Sequence, residues 1–218
     1  MFTSIRGDWG FDVLQQTPLF QRKPAHIYHH GNLQAALLRA GLNLLERSGA
    51  SADIALREVA REVGVSPAAV YRHYPSKEAL LTALAVDGFR RLTEAQMEPV
   101  ASKIVTPVRF ADMGRAYVRF AVKNPALFRL MFSDQIDASR DAALMFAVEG
   151  LTENFEEAVQ RLAGPRFSSA MRRKAALRAW SLVHGLSMLL IDGQMRIAHS
   201  EVDRMIEAVV DPNHALSI

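Results

Sequence analysis

Apolar residues recur along this chain at intervals of three and four positions, which is the spacing of one face of an α-helix. Glycine and proline interrupt these stretches, and the strict alternation that is typical of a half-buried β-strand is almost absent. The pattern therefore predicts an all-α protein. Residues 1–28 show no sustained period and contain Gly7, Gly10, Pro18 and Pro24, so we expect an irregular arm before the first helix.

Nine segments have the period of a helix. Asn32 is expected to cap the first segment and Gly49 to end it. Pro125 suits the first turn of the sixth segment, because the N–H that proline lacks is not needed there. Gly164 and Pro165 make the clearest break in the C-terminal half. The segments cover about 32–47, 55–63, 67–73, 77–97, 107–123, 125–133, 139–163, 168–192 and 200–210.

The character of these segments changes near Pro99. Before it lie three short helices and a connector, and beyond it the segments are longer and more apolar. We expect four parts along the chain, namely an N-terminal arm (1–28), a three-helix unit (29–76), a connecting helix (77–98) and a larger helical body (99–218).

Composition removes several classes of protein. The chain has 218 residues, 50% of them hydrophobic, which suits an ordinary globular protein. Its longest apolar run near the C-terminus, residues 188–191, stops at Asp192, whereas a membrane span needs roughly 18 apolar residues. The first 30 residues lack the pattern of a secretory signal, and there is no cysteine. We therefore expect a cytoplasmic protein without disulfides or membrane contact.

Charge is unevenly distributed. Residues 22–77 contain eight basic and four acidic side chains, whereas residues 78–218 contain equal numbers of both. The positive charge behind the net charge of +3 therefore lies in one short stretch. A localised basic footprint is what binding to a phosphate backbone requires. An excess of this size over 56 residues also arises by chance, so charge alone does not decide for nucleic acid.

Residues 55–74 have the spacing of a helix-turn-helix. Ala60 is small where two helices would cross, and Gly64, four residues later, tolerates the positive φ of a tight turn. Ser66 is a good N-cap, and Pro67 suits the first position of the next helix. This spacing favours DNA binding, although a tight helical hairpin without a ligand would satisfy the same steric rules.

The same region resembles a known family. The runs Leu56-Arg-Glu-Val-Ala60, Gly64-Val-Ser66 and Tyr71-Arg-His-Tyr-Pro-Ser-Lys-Glu-Ala-Leu-Leu81 are similar to the N-terminal domain of TetR-type regulators, over about residues 28–80. A weaker similarity, in Trp180-Ser-Leu-Val-His-Gly185 and in Tyr28-His-His-Gly31, resembles the Trp-His-Gly signature of one C-terminal subgroup. The resemblance implies about nine helices, a homodimer, binding to operator DNA, and release by a small ligand in the body.

The resemblance also implies DNA contacts around the third helix. Tyr71 and Lys77 would hold phosphates, with a core tyrosine and an ordinary solvated lysine as the alternatives. Arg72 would contact either guanine or the backbone. The family usually has Ser or Thr where this chain has Ala55, so one phosphate contact of the family is not expected here, although Asp53 would cap the second helix in a shifted frame. The expected DNA-binding residues are Ser66, Pro67, Ala68, Ala69, Tyr71, Arg72, His73, Tyr74 and Lys77.

Dimerisation is required mechanically, since one short recognition helix contacts too few base pairs and a two-fold pair spans half-sites roughly 34–36 Å apart. In the family the last two long helices form this interface, which here would be 168–192 and 200–210. The expected interface residues are Leu182, Gly185, Leu186 and Leu189.

A pocket for a small hydrophobic ligand is expected in the body, where bulky, adaptable side chains suit an apolar cavity. Side chains of this kind at helical spacing more often form plain core than line a pocket, and His184 suits a hydrogen-bonded buried histidine better than a ligand contact. The expected pocket residues are Tyr117, Phe120, Phe128, Met131, Phe132, Phe146, Phe155, Trp180, His184 and Met188.

Enzymatic function finds little support. Gly-rich phosphate-binding motifs and Glu-x-x-His pairs are absent from the sequence. His26, His29 and His30 flank an irregular segment, so no metal site or cofactor is expected. Two hypotheses remain: a ligand-released repressor, and a helical small-molecule-binding or interaction module whose helix-turn-helix is vestigial. Arg22 and Lys23 would either add a minor-groove contact or belong to an inert leader.

Overall fold

The computed structural model describes residues 30–49, 54–100, 104–137, 139, 141–195 and 197–214. This part of the chain forms nine α-helices and no strand, which confirms the all-α prediction. No helix within it is long and apolar enough to cross a membrane. The helices are α1 (His30–Ser48), α2 (Leu56–Val63), α3 (Pro67–Tyr71), α4 (Lys77–Val100), α5 (Pro107–Lys123), α6 (Pro125–Met131), α7 (Ala142–Ala163), α8 (Ser169–Ile191) and α9 (Val202–Val209).

Local capping signals explain most of the boundaries. Thr106 accepts a hydrogen bond from the Arg109 N–H at 3.3 Å and precedes a proline, so α5 begins where the sequence predicts. Asp141 caps α7 in the same way, through the Leu144 N–H at 2.8 Å, and the helix therefore starts later than the predicted residue 139. The expectation that Asn32 caps α1 is wrong, because that helix already begins at His30.

Helices α1 to α3 form a small unit on the first turns of α4. Leu37 of α1, Val59 of α2, Val70 of α3 and Leu80 of α4 are all fully buried. Burying side chains of this size stabilises the folded state by about 1.5–3 kcal/mol each. The helix α4 therefore belongs to the core of this unit at its start.

The second half of α4 belongs to the body. There α4 packs against α5 and α7, and both of these pack against α8. Phe89 and Leu92 of α4, Tyr117 of α5 and Leu144 of α7 are fully buried in the resulting core. One continuous helix of 24 residues thus connects the small unit with the body.

A second connection runs through α6, a helix of seven residues between the unit and the body. Its first residue is Pro125, which has no N–H, and its N-cap residue Asn124 makes no side-chain cap. The next two donors, the N–H groups of Ala126 and Leu127, bond to the two carboxylate oxygens of Glu46 at 3.3 and 3.0 Å. A carboxylate from α1, 80 residues earlier in the chain, therefore caps the start of α6.

The other end of α6 lies close to α4. A Cβ atom added at Gly88 would be 2.6 Å from Sδ of Met131 and 3.2 Å from a methyl group of Leu127. Real Cβ atoms essentially never approach a neighbour within 3.0 Å, so any side chain at this position would require Met131 to shift. Helix α6 is thus fixed to α1 at one end and to α4 at the other.

Candidate DNA-binding surface

The turn between α2 and α3 has the geometry that the sequence predicts. Gly64 has φ 78° and ψ 32°, the left-handed conformation that ends a helix. The N–H groups of Gly64 and Val65 both donate to the carbonyl of Ala60 at 2.9 Å. Ala60 itself is buried, so its small side chain lies where the two helices approach. These bonds fix the angle at which α3 leaves α2.

Helix α3 presents its first residues to the outside. The hydroxyl of Ser66 accepts a hydrogen bond from the Ala69 N–H at 3.3 Å, and Pro67 occupies the first helical position, as expected. Pro67 and Ala68 are exposed, Ala69 is partly exposed, and Val70 is buried against the rest of the unit. One side of α3 therefore anchors the helix, and the other is open to a ligand.

Basic and hydroxyl groups extend this open surface beyond α3. Tyr71 is 54% exposed, which contradicts the alternative that it is a core tyrosine. Arg72 is exposed and His73 partly exposed. Lys77 begins α4, whose N-terminus is capped by the Ser76 hydroxyl through the Ala79 N–H at 3.2 Å. The four side chains thus lie along the continuous segment from the end of α3 to the start of α4.

One acid lies at the same helix terminus. A hydrogen bond to its own backbone N–H, and another to Ser76, hold the pKa of Glu78 below its usual value. This carboxylate is therefore charged at neutral pH and competes with a phosphate for the terminus of α4. A phosphate at this terminus would therefore need the Lys77 ammonium in addition to the backbone N–H groups.

Tyr74 is not on this surface. Its ring is 4% exposed, its hydroxyl donates to the carbonyl of Gln34 at 3.5 Å, and burial raises its pKa. The expectation that Tyr74 contacts DNA is therefore wrong, and the residue instead packs α1 against the segment that follows α3. The sequence around Tyr74, which lies two residues after the exposed Arg72, has no pattern that would have indicated its burial.

Several expected residues are not among those described. Ala55, at the start of α2, makes no side-chain cap. Asp53, the alternative cap that the sequence suggested, lies outside the described residues. The same is true of Arg22 and Lys23 in the arm, and of the histidines at positions 26 and 29.

Both parts of the chain match models of one family. Residues 37–84 match the bacterial regulatory proteins of the tetR family, and residues 110–212 match the tetracyclin repressor-like C-terminal domain. The chain belongs to the TetR family. Its similarity to the Trp-His-Gly subgroup stays a prediction, because the matching C-terminal model carries a different description.

Solved structures and curated relatives agree with the TetR fold. A Rhodococcus protein of unknown function is 31% identical with a TM-score of 0.71, over 86% of this chain and 96% of that one. The TetR family regulator PfmR of Thermus thermophilus, 18% identical with a TM-score of 0.60 over 83% of this chain and 96% of that one, shares the fold. The nucleoid occlusion factor SlmA of Aliivibrio fischeri is 29% identical over 60% of this chain and 63% of its own length. This chain thus covers less than two thirds of that curated relative.

In the body of this TetR protein, three polar side chains form a short hydrogen-bonded chain. The indole N–H of Trp180 donates to the hydroxyl of Tyr117 at 3.1 Å, and that hydroxyl lies 2.9 Å from Nδ1 of His184. The Tyr117 hydroxyl thus links the indole to the imidazole, and the tautomer of His184 decides which of the two groups donates in the second bond. Burial lowers the pKa of His184 and raises that of Tyr117. His184 is thus hydrogen-bonded, as expected, but its side chain is only partly buried.

Aromatic rings close around this chain. The ring centroids of Phe132 and Phe128 lie 4.6 and 5.6 Å from that of His184, and Phe128 packs edge-on against Tyr117 at 5.6 Å. Tyr117 and Phe128 are fully buried. These members of the expected pocket contact one another, as the plain-core alternative requires.

Two cavities lie beside α8. One, of about 280 Å³ between α5 and α8, is lined by Phe110, Gly114, Phe155, Ala179 and Val183 among others. A groove of about 630 Å³ runs between α7 and α8 and is lined by Phe155 and by Trp180. The small lining residues were missed from the sequence, since alanine and glycine carry no signal for a pocket.

Phe146 is not a pocket residue. It is 77% exposed on the outer side of α7, so the expectation that it lines a cavity is wrong. Phe120 and Met131 are buried, and Met131 fills the space beside Gly88. Met188 is partly buried at the edge of the core.

The expected dimer residues separate into two groups. Leu182 and Leu189 are 47% and 43% exposed, and Gly185 is exposed between them on the same side of α8. Leu186 is buried in the core, so its assignment to the interface is wrong. Three of the four residues therefore form an open stripe that suits a partner helix.

Helix α9, the other helix expected at the interface, is tied to α5 by ion pairs. It is eight residues long, and its carboxylates at Asp203 and Glu207 bond to the guanidinium of Arg119 in α5 at 2.9 and 2.7 Å. Arg115 of α5 also pairs with Glu207 at 3.0 Å. These bonds hold α9 against α5, and the periodicity of residues 200–210 gave no sign of them.

Proposed function

We propose that this TetR-family regulator is a dimeric repressor that binds operator DNA and is released by a small hydrophobic ligand. Residues 29–76 would bind DNA, helix 77–98 would connect them to the body, and residues 99–218 would bind the ligand and the second subunit. The observation that carries the proposal is the open side of α3, with Tyr71 and Arg72 exposed at its end.

Base and phosphate contacts would divide along this surface. Pro67, Ala68 and Ala69 present apolar groups that suit thymine methyls and a close approach to the groove floor. Tyr71 and Lys77 would hold phosphates on either side, which sets position and not sequence. Arg72 is the side chain with the reach for a guanine. Few hydrogen-bonding groups on α3 itself imply a sequence preference that rests on few bases.

The test is binding to a duplex from upstream of the protein's own gene, compared with a random duplex. We expect log K to fall as log salt rises, and a large preference for the upstream sequence. The double substitution Tyr71→Phe and Lys77→Ala should weaken binding to both duplexes and leave the dimer intact. Lys123→Ala, an exposed lysine at the end of α5, is the matched control and should bind normally.

Equal affinity for both duplexes would contradict the proposal and favour a module with a vestigial helix-turn-helix. Loss of the dimer in the double variant would show that Tyr71 and Lys77 are structural. The helical circular dichroism of the double variant shows whether it is folded, so a folding defect is distinguished from either result.

The cavity between α5 and α8 is the proposed ligand site. Its lining is mainly apolar and its volume of about 280 Å³ suits a small hydrophobic molecule. A bound ligand would raise the melting temperature of the protein through mass action. Ala179→Leu should fill the cavity and abolish this shift, whereas Ala208→Leu on the exposed side of α9 should retain it. A shift retained in Ala179→Leu would place the ligand elsewhere.

A further inference from the structure

The groove between α7 and α8 has a basic end and an apolar end. Arg173 and Lys174 lie in the second turn of α8, and Trp180 lies two helical turns further along. Residues two turns apart share one side of a helix, and all three side chains line the same groove. At about 1.5 Å per residue, the basic pair and the indole are about 10 Å apart along α8. The groove therefore changes from charged to apolar over the length of a small molecule.

The apolar end is made by side chains of both helices. Phe155 of α7 and Ala176 of α8 are buried, whereas Leu177, in the same lining, is 58% exposed. The indole N–H of Trp180 is already bonded to the Tyr117 hydroxyl at 3.1 Å, so the indole offers the groove apolar surface and no donor. Apolar side chains gathered around a concave surface are typical of a site for a small molecule.

The basic end carries charge that the chain does not neutralise. Arg173 and Lys174 are exposed, and neither belongs to an ion pair within the part of the chain that the structure describes. Among the described residues that line the groove, Glu156 is the one acid, so the lining has two positive charges and one negative charge. An anion is therefore attracted to this end of the groove, and a cation is repelled.

The groove lies on a side of α8 that the proposed function does not use. Successive residues of a helix are about 100° apart, so Leu182 and Leu189, in the stripe that suits a partner helix, lie nearly opposite Arg173. Arg178 lines the cavity beside α5 and not the groove. The groove is thus a second site, separate from the ligand cavity and from the stripe.

We propose that the groove binds a small amphipathic carboxylate, with the carboxylate at Arg173 and Lys174 and the apolar chain along Leu177 as far as Trp180. A guanidinium and an ammonium both donate charge-assisted hydrogen bonds to a carboxylate. The apolar chain would span the distance of about 10 Å between the basic pair and the indole. The volume of about 630 Å³ lies within the range of sites for small molecules.

This carboxylate is expected to come from solution and not from a bilayer. Glu149, Glu153 and Glu157 are exposed on α7, and an anionic membrane surface would be repelled by them. A monomeric carboxylate with a medium-length chain is therefore the appropriate probe, and octanoate has a suitable length.

Isothermal titration calorimetry of the full chain with sodium octanoate tests the proposal. We expect saturable binding of octanoate. 1-Octanol has the same chain without the charge and should bind roughly tenfold more weakly, and octylammonium should not bind. Butanoate keeps the charge but is too short to reach Trp180, so it should also bind more weakly than octanoate.

Charge reversal identifies the groove as the site. Arg173→Glu with Lys174→Glu should raise the dissociation constant of octanoate roughly tenfold or more, since the carboxylate would then face two acids. Arg178→Glu with Arg204→Glu is the matched control, because it changes the net charge by the same amount at exposed positions outside the groove. This control should bind octanoate normally. All four positions are exposed, so both variants should fold, and helical circular dichroism checks this.

The acid in the lining gives a prediction of the opposite sign. Glu156→Gln removes a negative charge from the groove and keeps the size of the side chain, so octanoate should bind about twofold to fivefold more tightly. Damage to the fold would not produce a gain in affinity. Glu149→Gln, at an exposed position of the same helix outside the lining, is the control and should change the affinity little.

Three results would overturn the proposal. The first is no octanoate binding at millimolar concentration, and the second is 1-octanol binding as tightly as octanoate. The third is unchanged octanoate binding in the Arg173→Glu, Lys174→Glu variant. If binding is lost in the Arg178→Glu, Arg204→Glu control instead, octanoate occupies the cavity beside α5, which Arg178 lines. None of these measurements involves DNA, so a failure of this site and a failure of the proposed repressor are distinguishable.

Discussion

The carboxylate of Glu46 is expected to stabilise the junction between the DNA-binding unit and the body. It accepts hydrogen bonds from the N–H groups of Ala126 and Leu127, the second and third residues of α6. Pro125 has no N–H and Asn124 makes no side-chain cap, so the described residues offer these donors no substitute acceptor. Removing the carboxylate leaves two donors of the first turn without their partner.

The expected cost of Glu46→Ala is about 2 kcal/mol. Hydrogen bonds to a charged group contribute about 1.5–3 kcal/mol, and loss of an N-cap costs about 0.5–2 kcal/mol. A value near the middle is appropriate because the side chain is only partly buried and one bond is as long as 3.3 Å. For a chain of this length the melting temperature should fall by about 4–8 °C. Glu46→Gln retains one neutral acceptor and should lose about half as much free energy.

Urea unfolding measures the free energy directly. Glu62→Ala is the matched control, since that carboxylate forms an exposed ion pair with Arg47 at 2.9 Å, worth about 0–1 kcal/mol. Hydrogen exchange should also show faster opening of the first turn of α6 in Glu46→Ala. A loss no larger than that of Glu62→Ala would refute the cap as a source of stability.

Three further predictions concern the body. Gly88→Ala should destabilise the fold by about 1–3 kcal/mol, because its Cβ would be 2.6 Å from a sulfur atom, whereas Gly150→Ala has open space and should stabilise α7 by about 0.5–1 kcal/mol; thermal unfolding of both compares them. Tyr117→Phe removes the hydroxyl that accepts from the Trp180 indole and that bonds to Nδ1 of His184, so we expect a loss of about 1–3 kcal/mol in urea unfolding, and an unchanged midpoint would contradict the network. Burial lowers the pKa of His184 from 6.5, so its contribution to stability is complete above pH 6.5 and is lost as the pH falls below that value. His184→Gln should flatten this part of the pH profile of the unfolding free energy, and an unchanged slope would assign it to other groups.

Residues whose role depends on near neighbours were predicted well from the sequence. The Ser66 hydroxyl caps α3 by accepting from the N–H of Ala69, three residues later, and Gly64 has the positive φ that its turn requires. Such features depend on residue type and spacing alone. The helix-turn-helix was therefore predictable down to its individual bonds.

Features that depend on distant contacts were not predictable. The partners of Glu46 lie 80 residues later, and the acids of α9 bond to residues of α5 more than 80 positions earlier. Tyr74 and Phe146 show the same limit, because an aromatic side chain suits both core and surface until the neighbouring helices are placed. The candidate DNA surface was thus found from the sequence apart from Tyr74, whereas the interface and pocket depended on how the body packs.

Trp180 gives the protein an internal optical probe. Its indole donates to Tyr117, and the same side chain lines the groove between α7 and α8. Emission from this indole responds to polarity, so covering the groove would move the spectrum to shorter wavelengths. The second tryptophan, Trp9, can be replaced by phenylalanine to leave a single emitter. Occupation of this groove is then readable from light emission alone, without a label on the protein or on what binds it.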